Sequence, residues 1–187
     1  MLGVGMSKMR SRSGDAIKCA CGSRIRIVIR LAAACFFTSL LAATAGRTQD
    51  GAKATAGFEI WKSAGCSMCH GPFADGNNQN DDYPMGANLR ATRLDAAGLK
   101  LTIGCGRPGT GMPSFDEGAY NLRSCYDRPL GDAPNDLYPA PTKLSPGQID
   151  SVIAYLQARV IGRGKITKEE CVAYYEGYDS ELCADYQ

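Results

Sequence analysis

The stretch GCSMCHG, residues 65–71, places Cys66 and Cys69 three positions apart and follows them directly with His70, the only histidine among 187 residues. Three chemistries use such a set. A redox-active dithiol needs the two thiols and no imidazole. A structural zinc site needs all three side chains and a fourth ligand. Covalent haem attachment needs this spacing for a geometric reason: two thiols one helical turn apart add to the two vinyl groups, and the imidazole of the next residue then lies beneath the iron. With nine cysteines and one histidine in the chain, CxxCH would arise by accident with a probability of about 0.002, so accident is a poor account.

The surrounding sequence separates these chemistries. Zinc lacks a second CxxC or HxxxH, and only scattered cysteines remain to complete four ligands. A thioredoxin-like dithiol needs a strand before the motif and a βαβ surround, whereas the residues before Cys66 read as a helix. Haem attachment is left as the best reading, with one haem c held by Cys66, Cys69 and His70. Iron then needs a ligand opposite His70, and the chain has no second histidine, so methionine is the candidate. Met68 sits inside the attachment loop, on the wrong side to oppose His70. Met112, in GRPGTGMPSFD, lies in a Gly- and Pro-rich run from Gly104 to Pro113 that suits an irregular loop bringing a thioether close to a flat ring. Met112 is therefore the expected sixth ligand and Met85, in YPMGANL, the second choice.

The remaining cysteines depend on where the chain goes. Residues 1–45 read as an export signal: seven basic residues against the single acid Asp15, then the apolar run LAAACFFTSLLAA, then Ala43-Thr44-Ala45 as a small-residue cleavage site. The apolar run is too short to span a bilayer, so no stable membrane anchor is expected and the mature protein is placed in the periplasm. Without the leader, 14 basic residues (21 − 7) face 18 acids (19 − 1), a formal net charge of −4. That balance argues against nucleic acid as a partner. Cys66, Cys69, Cys105, Cys125, Cys171 and Cys183 remain; if the first two hold a cofactor, the simplest of three pairings for the other four is Cys105–Cys125 and Cys171–Cys183.

Stepping outward from the motif, DGAKATAGFEIWKSAG predicts a helix leading into Cys66, and a shorter helix begins near Asp95. In LSPGQIDSVIAYLQARVIG, Ser145 is the expected N-cap, Pro146 the first helical residue and Gln148 the closing member of a capping box. Ile149, Val152, Ile153, Leu156 and Val160 recur at helical spacing before Gly162 ends the run. The fold class is thus mostly α with long loops, in a single domain over 46–187, with a core at about 52–161 and a C-terminal extension over 162–187. A capping box at Thr167 and Glu170 predicts a short helix in the extension, closed by Cys171–Cys183. The extension reads either as a stabilising appendage or as an acidic, aromatic docking face. The loop over 113–144 reads either as a partner-specific patch or as an inert insertion.

Over roughly residues 52–161 the chain resembles the class I c-type cytochromes, a family of single-haem proteins in which N- and C-terminal helices and loops enclose the haem. The resemblance rests on CSMCH, on Gly57 and Trp61 set against Val152 and Tyr155, on Gly86-Ala87-Asn88-Leu89 and on Met112-Pro113-Ser114-Phe115. It implies that Gly57 and Trp61 pack on the C-terminal helix. It also implies that the Ala87 carbonyl accepts the free N–H of His70, at a position where the family has proline. Arg90 and Arg107 lie near the matching motifs as candidate partners for the haem propionates. The implied function is one-electron transfer rather than catalysis, with His70 and Met112 closing the iron to substrates. Extended members of this kind suggest a periplasmic dehydrogenase as electron donor, in particular a quinoprotein alcohol dehydrogenase, and a terminal oxidase as acceptor. The alternative is a haem-based sensor or ligand-binding protein in which Met112 detaches.

Overall fold

The computed structural model of the chain describes residues 49–78, 80–176 and 181–186. The leader expected over 1–45 lies outside the described residues. No helix among the described residues is long and apolar enough to cross a membrane, and they contain no β-strand, only isolated bridges.

Helix α1 covers residues 49–63 and buries Ala54, Gly57 and Trp61, one residue per turn on a single face. It leads through Ala64 and Gly65 into the short helix α2, Cys66–His70. Helix α3, Ala96–Cys105, starts where the Asp95 carboxylate accepts the Gly98 N–H at 2.8 Å. Helix α4, Pro146–Arg159, opens with the expected reciprocal box between Ser145 and Gln148 and buries Ile149, Val152, Ile153, Tyr155 and Leu156. It stops short of the expected end: Val160 is its C-cap, and Gly162 lies beyond it at φ 73°, where its N–H reaches the Arg90 carbonyl at 3.0 Å. Helix α5, Lys168–Tyr174, has the Thr167–Glu170 box.

One apolar cluster unites Trp61, Leu99, Ile103, Phe115, Leu144, Val152, Tyr155 and Leu156, so α1, α3, α4 and the loop after α3 share a core. Gly57 lets α1 approach α4 closely: a Cβ there would overlap the Ser151 carbonyl oxygen and stand 2.9 Å from Tyr155 Cβ. The pairing of Gly57 and Trp61 with the C-terminal helix is therefore present, with the rings of Trp61 and Tyr155 6.0 Å apart.

Segment 113–144 is irregular but anchored. Phe115 and Asp116 donate to the Ile103 and Gly104 carbonyls at 3.1 and 3.0 Å, and Leu144 donates to the Phe115 carbonyl at 2.7 Å. Arg123 grips the Asp116 carboxylate with Nε at 2.7 Å and Nη2 at 3.2 Å. Burial pushes the Asp116 carboxyl up, but the Arg123 guanidinium and the Gly118 N–H outweigh it and hold the group below its ordinary value. Cys105 and Cys125 lie at disulfide distance, with Cα atoms 5.7 Å apart, and Cys125 is fully buried. The Tyr120 hydroxyl donates to the Cys105 carbonyl at 3.0 Å and the Tyr126 hydroxyl to that of Gly106 at 2.5 Å. The crosslink spans 20 residues, for which chain entropy gives about 3 kcal/mol. Replacing Cys105 and Cys125 together by Ala is expected to lower unfolding stability by that amount in a urea titration.

The extension packs inward. Cys171 and Cys183 are also at disulfide distance and fully buried. The rings of Tyr174, Tyr175 and Tyr186 surround Phe73 with centroids 5.9, 6.2 and 5.4 Å away. These three tyrosines act as packing residues on the segment after His70, which fits an appendage to the core; Tyr178 lies outside the described residues.

Candidate functional site

The site begins where α1 ends. Gly65, in the left-handed region at φ 76°, turns the chain into α2. One helical turn then carries Cys66, Cys69 and His70, and all three line the same cavity. The two thiols are the free cysteines among the described residues. Burial pushes the Cys66 thiol up to about 12 and raises that of Cys69 as well. Both are neutral at pH 7. A redox-active dithiol depends on a stabilised thiolate, and nothing here supplies one. The segment before the motif is a helix, not a strand, which removes the second requirement of the dithiol reading.

His70 is held by the segment that carries Ala87. Its Nδ1 lies 2.8 Å from the Ala87 carbonyl oxygen. A carbonyl can only accept, so Nδ1 carries the proton and Nε2 keeps the free lone pair, the tautomer a metal-binding imidazole needs. Burial lowers the His70 pKa, opposed by the Ala87 bond, so the ring is neutral near pH 7. The Ala87 turn is tied on both sides to the residues around His70: Gly86 donates to the Cys69 carbonyl at 2.7 Å and Leu89 to the Ala74 carbonyl at 2.8 Å. Gly86 lies flat against the imidazole, and a Cβ there would stand 2.7 Å from Nδ1 and 2.9 Å from Cε1. A side chain at 86 would displace the ring.

The cavity measures about 400 Å³, within the range of small-molecule sites. Its inner wall is apolar, built from Leu99 and Ile103 of α3, Val152 and Leu156 of α4, and Phe115. Tyr83, Met85 and Tyr138 stand exposed among its lining. Trp61 is 1% exposed and packs 6.0 Å from the imidazole, yet its indole Nε1 has no hydrogen-bond partner. A buried donor left unpaired in a cavity wall fits a site that takes a ligand.

Met112 and Met85 both line this cavity, so the structure brings both candidate sulfurs to it. They differ in setting: Met112 is half-buried and packs on the main core cluster, whereas Met85 is 78% exposed. The two loops touch where Pro84 meets Gly111, which has no room for a side chain because its Cβ would stand 2.6 Å from Pro84 Cγ. Gly106 makes the turn out of α3 at φ 71°, and the Arg107 N–H closes the loop onto the Met112 carbonyl at 3.1 Å.

The two arginines separate. Arg107 is the one charged side chain lining the cavity among the described residues. Arg90 does not line it; its guanidinium is spent on carbonyls and on Glu170. A larger, open cleft of about 780 Å³ beside Arg90, Lys165 and Asp185 contains neither free thiol nor the imidazole. Among the described residues no three His, Cys, Asp or Glu side chains converge to hold a metal ion. The residues present do fit haem: an apolar slot, one imidazole with a free Nε2, two unpaired thiols and a thioether. Sequence reasoning missed Trp61 Nε1 and the contacts of Arg90, because both depend on tertiary packing that leaves no local pattern. No protein-family profile, curated protein or solved structure matches this chain.

Proposed function

We propose that the protein is a one-electron carrier with a single covalently attached haem c, exported to the periplasm. The observation that carries this reading is the convergence of Cys66, Cys69 and His70 on one apolar cavity, with Nδ1 of His70 committed to Ala87 and Nε2 left for iron. When bound, haem supplies a one-electron iron couple. The chain's own residues do the rest. Cys66 and Cys69 would tether the ring as thioethers, and His70 would hold the iron. Met112, the better buried of the two methionines on the cavity, would supply the second iron ligand.

The apolar walls keep water from the metal, which disfavours the extra positive charge of the ferric form. Thioether ligation favours the ferrous form as well, so both raise the potential. Arg107 supplies the cation in the lining that a carboxylate-bearing ring needs. The disulfide-distance pairs support an oxidising compartment, in line with the leader. The suggested donor is a periplasmic dehydrogenase, in particular a quinoprotein alcohol dehydrogenase, and the suggested acceptor a terminal oxidase.

Carbon monoxide separates this carrier from a sensor. With Met112 on iron the reduced protein is expected to show no spectral change under carbon monoxide at neutral pH. Rapid, tight binding by the unmodified protein would instead assign a ligand-binding function.

A further inference from the structure

We infer that Arg90 is a positioning residue that tunes the iron through the hydrogen bond between Ala87 and His70. The inference rests on the haem-carrier reading.

The Arg90 side chain is only 8% exposed, and nearly all its donors are occupied. Nε reaches the carbonyls of Arg163 at 3.0 Å and Gly164 at 3.1 Å. Nη2 reaches the Lys165 carbonyl at 3.2 Å and Glu170 Oε2 at 3.1 Å. Nη1 reaches the Phe73 carbonyl at 3.4 Å. The main chain of the same residue receives the Gly162 N–H at 3.0 Å and donates to Asn88 Oδ1 at 2.9 Å. One residue thus joins three segments: the turn after His70, the Ala87 turn and the start of the extension.

The pattern has a reason in the Ala87 turn itself. Where the resembling family has proline, this chain has alanine, whose φ is free. The bonds from Gly86 to Cys69 and from Leu89 to Ala74 tie the turn to the residues around His70, which move with the ring. Arg90 ties that whole assembly to 162–170 and, through Glu170, to the first turn of α5, which the buried Cys171–Cys183 pair anchors. The planar five-donor fork explains why arginine stands there, since lysine could not reach three successive carbonyls and a carboxylate together.

The consequence for iron follows from the sense of the bond. A firm Nδ1–H to carbonyl bond makes the imidazole more basic and favours ferric iron; a loosened clamp weakens it and favours ferrous iron. Arg90→Lys keeps the buried charge but breaks the fork, and Glu170→Gln keeps Arg90 but removes its carboxylate partner. In the purified holoprotein at least one of the two is expected to raise the ferrous-to-ferric ratio at fixed ambient potential threefold or more. That is about 28 mV, at 59 mV per tenfold change for one electron. The His70 Nδ1 proton of the same variant should exchange faster with solvent.

Ser145→Ala, which removes the α4 cap, serves as the control, because it lowers stability without touching the clamp and should leave both readouts unchanged. If every Arg90 or Glu170 variant that folds keeps the parent potential and exchange rate, Arg90 is a packing residue and the inference is overturned. A shift of equal size in Ser145→Ala overturns it as well. If the unmodified protein carries no haem, it is the functional reading that fails.

Discussion

Replacing Met112 by Ala is expected to leave the pigment attached while abolishing the near-infrared band that sulfur on ferric iron produces. On the proposed reading, attachment depends on Cys66, Cys69 and His70, all presented by α2, whereas Met112 arrives from the loop after α3 and would contribute only its thioether. Losing that ligand lowers the potential by about 0.1 V or more, a fraction of the ~0.8 V that axial ligands span, and opens iron to carbon monoxide. Met85→Ala is the matched test. Met85 lies on the same cavity but is 78% exposed, and its removal should leave band and potential in place. If Met85→Ala removes the band and Met112→Ala does not, the roles of the two methionines are exchanged.

Gly57→Ala is expected to be the most destabilising single methyl in the core. The added Cβ meets the Ser151 carbonyl oxygen and the Tyr155 Cβ, atoms of α4 that cannot retreat unless the helix moves. Overpacking ordinarily costs about 1–3 kcal/mol; a clash with backbone puts this change at the top of that range, about 3 kcal/mol. For a domain of this size the melting temperature should fall by roughly 10 °C. Ala56→Gly, one residue earlier on the exposed side of α1, should cost only about 1 kcal/mol through helix propensity. Equal losses from the two changes would mean that α1 and α4 do not cross at Gly57.

The elements that proved legible in the sequence have local signals. The boxes Ser145–Gln148 and Thr167–Glu170 and the Asp95 cap each close within three residues, so spacing alone reveals them. The acceptor for His70 could be named although the resembled family has proline where this chain has Ala87, because every residue carries a backbone carbonyl. The crosslinks followed from pairing neighbours in sequence. What stayed hidden depends on distant segments meeting. Arg90 binds main-chain carbonyls 73 to 75 residues away, and a carbonyl has no identity in a sequence. The packing of Tyr174, Tyr175 and Tyr186 on Phe73 was hidden for the same reason: tyrosines in a tail can serve as an appendage to the core or, as the lesser reading, as a docking face. The run was expected to last until Gly162 because Val160 and Ile161 continue the apolar pattern, but Ile161 already bonds back five residues to Leu156 rather than four.

Acid–acetone extraction of the mature protein, produced in cells able to attach haem, tests most directly the proposed carbon–sulfur bonds between haem and Cys66 and Cys69. The pigment should stay with the precipitated polypeptide, and neither Cys66 nor Cys69 should react with an alkylating agent after denaturation. A colourless protein, or a pigment that passes into the solvent and leaves both thiols open to alkylation, would contradict it.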